Sequence, residues 1–312
     1  MKKKIDSSVA TKVTKSIIFA VLIIYSLSMI LLLVWGFLTS LKNDLDYSLL
    51  KNKFGFPNAT ISGEELKFLN YRLIFENFSF KRNASYYAGQ TLVVKKASVN
   101  FFDMILNSII YAGMGSFLHA ILTCTMGYVT SKYRFKMSSI IYATCLFTMI
   151  VPTVGTNSST VAMLRAAGLY DSWAGYIMQS FNFIGMHYLV FFAYFKGLPD
   201  SYVEAAEIDG ASQTMILFKI IFPLAAKTIS TIMLLHFVSL WNNYQTPLLY
   251  LPTHPTLAYG IYYMVYQNPV GFLSKLPIKI ASCMILAIPL LIAFIFLKDK
   301  LMGNVSLGGL KE

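Results

Sequence analysis

The 312-residue chain has few charged side chains. Only 13% of its residues are Asp, Glu, Lys or Arg, whereas 56% are hydrophobic, and the mean hydropathy is +0.59. A soluble domain carries about 25% charged residues, so this composition predicts an integral membrane protein. Much of the net charge of +12 lies beside apolar runs, where basic residues face anionic lipid. No basic, aromatic-rich soluble face that would bind nucleic acid is present.

Several features of catalytic and nucleotide-binding chains are also missing. The three cysteines fall inside apolar runs without C-x-x-C spacing, so we expect neither a metal site nor a redox pair. The chain has no G-x-x-x-x-G-K-[ST] motif and should not bind ATP phosphates itself. The four histidines are scattered over different predicted spans and loops and suggest no nucleophile–base set; they are His119, His187, His236 and His254. We therefore predict no catalytic residue, no metal site and no enzyme.

Charge-free runs predict an all-α membrane protein with six transmembrane helices. A bilayer-spanning helix needs about 20 apolar residues, and each run supplies one span. The fifth run is the longest, and prolines at 247, 252 and 255 interrupt it, so we expect one span followed by an irregular, aromatic-rich loop. The runs cover residues 16–41, 104–131, 137–164, 172–195, 228–274 and 280–297.

Lysines before the first run predict the orientation of the chain. Basic residues beside a first span favour the cytoplasmic side, and six spans then place both termini in the cytoplasm. The outer segment between spans one and two contains several aromatic residues and could pack as a small cap. The predicted parts are a cytoplasmic basic head (1–15), a first transmembrane helix (16–41), an extracellular segment (42–100), a transmembrane core with spans two to six (101–297) and a cytoplasmic tail (298–312).

A polar segment, about residues 196–223, separates the fourth and fifth runs. Ser201 and Glu204 fit a capping box for a first helix that runs to about residue 208. Gly210 suits the left-handed position at a helix end, and Ser212 can cap a second helix, which Pro223 would close. The pattern predicts a helix–turn–helix at the cytoplasmic face.

Small residues would leave one side of the first of these helices nearly bare. Ala205 and Ala206 suit close insertion into a groove of another protein. The alternative is an amphipathic connector resting on lipid headgroups. Such helices usually carry a Lys/Arg-rich polar face, whereas this segment carries Glu204, Glu207 and Asp209. A protein partner is the better interpretation.

The same segment resembles the coupling loop of bacterial ABC importer permeases, with the pattern E-A-A-x-x-D-G-A and a later proline. The matching residues are Glu204, Ala205, Ala206, Asp209, Gly210, Ala211 and Pro223. Residues 168–172, 241–244 and 303–311 resemble further segments of the carbohydrate-importer subfamily, in particular of its smaller, six-span permeases of the maltose-transporter type. Asn243 replaces an acidic residue of that pattern. The resemblance covers about residues 95–311.

This resemblance implies a permease subunit of an ATP-driven importer for a sugar or oligosaccharide in a bacterial inner membrane. The loop would dock on two separate ATP-binding subunits, which would bind ATP and Mg²⁺, so that the chain itself needs no cofactor. A second, non-identical permease and an extracellular or periplasmic solute-binding protein would complete the transporter.

Two alternatives to a sugar permease stay open. One is a permease of the same class for another neutral or phosphorylated solute, such as a glycerol phosphodiester. The other is a secondary carrier. The spans contain almost no Lys or Arg to hold an anion, and no span core holds an acid that could relay protons.

Candidate substrate residues occur in two places. An aromatic and amide-rich stretch near the end of span five offers flat faces and planar amides to a sugar; it comprises Trp241, Asn242, Asn243, Tyr244 and Gln245. Its asparagines could instead bond neighbouring helices. The second place is the polar stretch 151–160, with Asn157, which could line the outer part of a transport path or form an outer loop with a surface helix.

Two further groups of residues have structural interpretations. Gly113, Gly115 and Gly127 in the second span are expected to permit close contact between helices. Tyr259 and the tyrosines at 262, 263 and 266 are expected to form an aromatic belt at the membrane interface, although they could also touch a binding protein.

Overall fold

The computed structural model describes residues 9–58, 68–88, 91–133, 135–151, 155–266 and 271–305. The described chain is mostly helical, as predicted. Its helices are α1 (Val9–Ser40), α2 (Leu69–Asn77), α3 (Phe101–Lys132), α4 (Lys136–Ile150), α5 (Thr156–Ala166), α6 (Trp173–Ser180), α7 (Met186–Lys196), α8 (Ser201–Ile208), α9 (Gln213–Trp241), α10 (Gln245–Tyr250), α11 (Leu257–Tyr266) and α12 (Leu276–Val305). Short helical turns occur at Leu45–Leu49 and Gly271–Ser274.

Four of these helices are long and apolar enough to cross a membrane. They are α1 from Thr11, α3, α9, and α12 as far as Ile295. The third predicted span corresponds to α4, which has 15 residues. The fourth predicted span is not one continuous helix, because α6 and α7 are separated at Phe181–Gly185. Gly185 has a φ of 147°, a conformation that glycine adopts readily and that interrupts a right-handed helix.

A β-hairpin follows α2 in the chain, which the all-α prediction omitted. The strands β1 (Ser79–Ala88) and β2 (Thr91–Asn100) pair antiparallel, from Ser79 opposite Asn100 to Ala88 opposite Thr91. Side chains of β1 alternate: Phe80, Ala84 and Tyr86 are buried, and the residues between them are more exposed. This period of two is typical of a strand with one face packed on a core. Part of the segment 42–100 is therefore folded, which is compatible with the prediction that this segment packs as a small cap.

Helix α3 packs closely along α7 and α9 through two of the predicted glycines. A Cβ atom on Gly127 would lie 2.6 Å from the Cβ of Phe191 in α7, and one on Gly115 would overlap the Tyr176 hydroxyl. Close packing was correctly predicted for these two glycines. Nothing lies within 4 Å of the corresponding position at Gly113, so the expectation is wrong there.

The segment after α9 is more regular than the sequence suggested. The predicted irregular loop contains α10 and α11. Tyr259 is fully buried in α11, where its ring meets Phe80 of β1 edge-on at 5.1 Å. The expectation of an interfacial belt is therefore wrong for Tyr259. The hairpin provides the packing partner, and the sequence pattern did not reveal it.

The described residues divide into two units, and α1 and α2 belong to the first, which comprises residues up to Asn77 together with 271–285. Within it, the side-chain amide of Asn70 donates to the carbonyl oxygens of Ser40 and Lys42, both at 2.7 Å. These bonds satisfy carbonyl groups left unpaired at the end of α1. In the most apolar 18-residue stretch of α1, none of the described residues is buried.

Candidate functional site

The end of α8 has the geometry that the sequence predicted. The N–H of Ala211 donates to the carbonyl of Ala206 at 2.9 Å, and the N–H of Gly210 donates to that of Glu207 at 3.0 Å. This pair of bonds is a Schellman motif. Gly210 has a φ of 79°, a left-handed conformation with little steric cost for glycine. The Ser212 side chain then accepts from the N–H of Met215 and caps the next helix.

Two details of the loop differ from the prediction. Ser201 is the first residue of α8, preceded by Asp200 without a side-chain cap, so the capping box is absent. Pro223 does not close the second helix, because α9 continues through it to Trp241. A π-helical turn at Leu217–Ile221 immediately precedes this position. Proline lacks an N–H, and its place in the first turn of Phe222–Trp241 is one that proline tolerates.

The two alanines of the loop lie on different faces of α8. Ala206 is 7% exposed and packs in a core cluster with Ile216 and Ile221 of α9. Ala205 is exposed, so the predicted bare face is wrong for Ala206. The outer face instead carries Ile208, whose side chain is 87% exposed. The sequence pattern did not distinguish Ile208 as functional, although its spacing of four residues from Glu204 places both on one helix face.

The loop is joined to α3 by an ion pair. The Nζ of Lys132, in the last turn of α3, lies 2.6 Å from the Oδ1 of Asp200 and also donates to the Leu198 carbonyl. Lys132 is only 10% exposed. A second bond crosses the turn, from the Gln213 amide to the Glu207 carboxylate at 2.7 Å. The end of α3 and the loop are therefore held together.

A polar cavity of about 230 Å³ lies between α3, α6, α9 and α10. On α3, Tyr111, Gly115 and His119 recur every four residues and thus share one face. Among the residues that the structure describes, none that lines this cavity is Asp, Glu, Lys or Arg. The lining comprises Tyr111, Gly115, His119, Tyr176, Gln179, Ser180, Asn182, His236, Leu240 and Thr246.

Two buried polar groups in the cavity lining lack hydrogen-bond partners among the described residues. They are the Nε2 of Gln179 and the hydroxyl of Tyr111. The Tyr111 hydroxyl lies near Thr246 without a hydrogen bond of normal geometry. Unpaired buried polar groups are costly, so each of these two groups would gain from a hydrogen-bond partner. Tyr176 is fixed, since its hydroxyl donates to the Tyr111 carbonyl at 2.7 Å.

Three of the four histidines meet beside this cavity. His119 of α3, His187 of α7 and His236 of α9 bring one ring nitrogen each within 4.8 Å of the others. The three lie on different helices, as the sequence indicated, but the sequence did not show that they meet in space. Their distances along the chain conceal the grouping, and only the packing of α3 against α7 and α9 produces it. The expectation that the chain has no metal site is not tested by this arrangement.

The predicted stretch 241–245 borders the cavity without lining it. Its neighbours Leu240 and Thr246 contribute to the lining. Trp241 is 4% exposed, and its ring N–H donates to the Leu286 carbonyl at 3.0 Å. Asn243 holds Thr246 through two hydrogen bonds, of 2.9 and 3.0 Å.

The other residues of these stretches lie apart from the lining. The Asn242 amide donates to the Val238 carbonyl of its own helix at 3.1 Å, Tyr244 stacks on Tyr262 at 4.2 Å, and Gln245 is exposed. Asn157 accepts from the Tyr250 hydroxyl and lines a separate cavity of about 410 Å³. Substrate contact by these residues stays a prediction.

The fold resembles a solved importer. The chain matches a crystal structure of a bacterial ABC transporter involved in the import of the acidic polysaccharide alginate, with a TM-score of 0.71 and 20% identity. The match covers 94% of this chain and 98% of the other. This similarity supports the assignment of the fold.

Curated relatives and a family description agree with the fold. A putative ABC transporter permease of Caldicellulosiruptor sp. (strain Rt8B.4) is 27% identical over 218 residues, covering 68% of this chain and 77% of the relative. The arabinooligosaccharides transport system permease of Bacillus subtilis (strain 168) is 26% identical, covering 68% and 74%. Residues 7–305 match the family described as binding-protein-dependent transport system inner membrane component. The chain belongs to this family of membrane transport permeases.

Proposed function

We propose that the chain is the transmembrane permease subunit of an ATP-driven importer for a sugar or oligosaccharide. One observation carries the proposal: a single helix, α3, connects the exposed loop to the polar cavity. Its C-terminal Lys132 is paired with Asp200, and its residues Tyr111, Gly115 and His119 line the cavity. A force applied at the loop is thereby delivered to the helix that shapes the cavity.

The loop is proposed to dock on separate ATP-binding subunits, which bind ATP and Mg²⁺. Ile208 would be the apolar anchor in the partner's cleft, because burial of a large exposed side chain supplies most of the energy of such a contact. Glu204 and Asp209 are exposed beside it and would set the orientation. The buried Ala206 packs against Ile216 and Ile221 of α9. This contact would make the loop and α9 move together.

We infer a six-span topology with both termini in the cytoplasm. Helix α4 would be the third span, and α6 with α7 a fourth span interrupted at membrane depth. Interrupted helices are tolerated there when they line a cavity, and α6 contributes Tyr176 and Gln179 to one. The exposed apolar surface of α1 suits lipid and a second, non-identical permease. The segment 42–100 would face outward, towards a solute-binding protein.

The proposed cargo is a neutral sugar. The lining has two tyrosine rings, two side-chain amides and no charged residue among the described residues, which matches the apolar faces and hydroxyl groups of a pyranose. Its volume of about 230 Å³ lies below the range of about 300–1,000 Å³ typical of ligand pockets, so it suits one sugar ring at a time. Relatives named for arabinooligosaccharides and for melibiose, raffinose and stachyose support this class of cargo.

Purification of the complex from its native membrane through a tag on this chain tests the assembly. We expect a second permease, an ATP-binding subunit and a solute-binding protein by mass spectrometry. Recovery of this chain alone, as a stable homo-oligomer, would contradict the proposal and favour a secondary carrier.

Uptake by the reconstituted complex tests the cargo. Calorimetric titration of the recovered binding protein identifies the sugar, and radiolabelled sugar is then followed in proteoliposomes. We expect Gln179→Ala to reduce uptake while ATP hydrolysis continues. The control variant Ser230→Ala, at an exposed position of α9 outside the cavity lining, should transport normally. Equal effects of the two substitutions would remove the cavity from the transport path.

A further inference from the structure

The histidine cluster, defined as His119, His187 and His236, has the composition of a metal site. The Nε2 of His119 lies 2.9 Å from the Nδ1 of His187, and the ring of His236 is 4.1 Å from that of His119. All three side chains are half-buried. Each sits on a different helix, so the cluster is produced by helix packing and does not follow from a local sequence motif.

A hydrogen bond made by His119 leaves its Nε2 available as a metal ligand. Its Nδ1 lies 3.2 Å from the carbonyl oxygen of Asn182. A carbonyl can only accept, so this contact places the proton on Nδ1 and leaves the lone pair on Nε2. Histidines that bind metals commonly donate their other N–H to a carbonyl or carboxylate, which fixes the tautomer. Asn182 would thus orient His119 towards the centre of the cluster.

Two of the three ligand nitrogens already lie close to the spacing of a tetrahedral site. Zinc–nitrogen bonds of about 2.0–2.1 Å place two ligand nitrogens roughly 3.3 Å apart, against 2.9 Å between His119 and His187. The proton shared by these two rings would move to the Nε2 of His187, freeing its Nδ1. The ring of His236 would have to turn out of its stack on His119.

We propose that His119, His187 and His236 bind a divalent transition-metal ion, for which zinc is the best fit. Neutral imidazoles suit zinc, and three protein ligands with an open fourth position form a familiar zinc geometry. The fourth position would face the polar cavity and take a water molecule. In a three-histidine zinc site this water ionises near pH 7, which lowers the net charge that the membrane interior must hold.

Bound zinc would hold three helices in the packing arrangement that this structure shows. The ligands belong to α3, α7 and α9, and α3 and α9 both reach the loop that contains Gly210. Alternating access requires these helices to change their packing. Zinc would therefore slow transport by stabilising one arrangement, without touching the ATP-binding subunits.

Zinc binding by the intact purified complex tests this site. The complex is stripped with a chelator, titrated calorimetrically with zinc chloride, and its metal content is measured after removal of free zinc. We expect one high-affinity zinc ion per copy of this chain, and a zinc-dependent rise in the thermal unfolding temperature. Cobalt(II) in place of zinc should give the visible absorption of a tetrahedral nitrogen site.

Variants assign the ligands. His187→Asn and His236→Asn should each weaken zinc binding by at least about 100-fold, because loss of a ligand should cost no less than the 10–100-fold typical of changes in the groups that orient ligands. His254→Asn, outside the cluster, should bind zinc like the parent. His187 does not line the cavity, so His187→Asn should transport sugar in chelator but lose inhibition by zinc. Undiminished zinc binding in both cluster variants, or no retained zinc in the parent complex, would overturn the proposal.

Discussion

Lys95 of the hairpin binds the buried Asp171 twice. Its Nζ lies 2.6 Å from the backbone carbonyl oxygen of Asp171 and 3.7 Å from its Oδ2. The carboxylate is fully buried and also accepts from the N–H and hydroxyl of Thr253, at 3.0 and 2.7 Å, with His254 at 3.4 Å. One carboxylate thus joins β2, the turn before α6 and the segment after α10.

Substitution of this carboxylate should destabilise the fold. Asp171→Asn leaves donors of Thr253 and Lys95 poorly satisfied, so we expect a loss of about 2–4 kcal/mol in the free energy of unfolding. Lys95→Met should cost about 1 kcal/mol, because its side chain is 37% exposed. Thermal unfolding of the detergent-purified complex measures both. An Asp171→Asn protein as stable as the parent would show that the carboxylate is dispensable.

The contribution of Asp171 should depend on pH. Burial alone would raise its pKa, but hydrogen bonds from His254 and Thr253 and the charge of Lys95 together lower the pKa below its usual value. A lowered folded-state pKa stabilises the fold fully above the unfolded-state pKa of about 3.9, and this gain is lost as the pH falls through the folded-state value. The stability difference between parent and Asp171→Asn should therefore be constant from pH 7 to about pH 5 and shrink below pH 4. A difference that grew on acidification would contradict this sign.

Two glycines of α3 form a matched pair. Gly127→Ala places a methyl group against the backbone and Cβ of Phe191, and overpacking of this kind costs about 1–3 kcal/mol. Gly113→Ala points into open space and should be neutral or slightly stabilising, since alanine favours helix. Thermal unfolding temperatures of the two purified variants compare them directly. Equal temperatures would mean that α3 and α7 can separate without loss.

Gly115 should control the shape of the cavity. A methyl group there would overlap the Tyr176 hydroxyl and approach a methyl group of Leu240 to 2.7 Å. Tyr176 would have to leave the Tyr111 carbonyl that it now binds. We expect Gly115→Ala to raise the sugar concentration needed for half-maximal uptake by about tenfold. A change of one methylene group in a binding pocket typically has an effect of at least this size. Gly113 lies two residues earlier in α3, where an added methyl group meets no other atom within 4 Å. Gly113→Ala therefore serves as the control and should leave uptake unchanged.

Transport should decrease stepwise when Gly210 is replaced by residues that tolerate a positive φ less and less well. Its φ of 79° costs a residue with a Cβ atom about 1–2 kcal/mol, and asparagine less than alanine. Uptake coupled to ATP hydrolysis should fall in the order parent, Gly210→Asn, Gly210→Ala, Gly210→Pro, while the amount of chain in the membrane stays level. Proline should be worst, because it requires a negative φ and removes the N–H that bonds Glu207. Full transport by Gly210→Pro would rule out the coupling role of this turn.

The sequence alone determined the class of protein and the local form of the loop. Apolar runs of about 20 residues are a property of composition, so α1, α3, α9 and α12 could be predicted without tertiary contacts. The Gly210 turn and the Ser212 cap are local hydrogen-bond patterns and were predicted for the same reason. The family resemblance also rested on short-range spacing.

Tertiary packing decided the rest. The outward turn of Ala205 and the burial of Ala206 depend on where α8 meets α9, and the burial of Tyr259 depends on the hairpin. The histidine cluster and the cavity bring together residues from helices far apart in the chain. No periodicity within one helix records which neighbour its polar side chains will meet, because that depends on how the glycines of α3 let other helices approach.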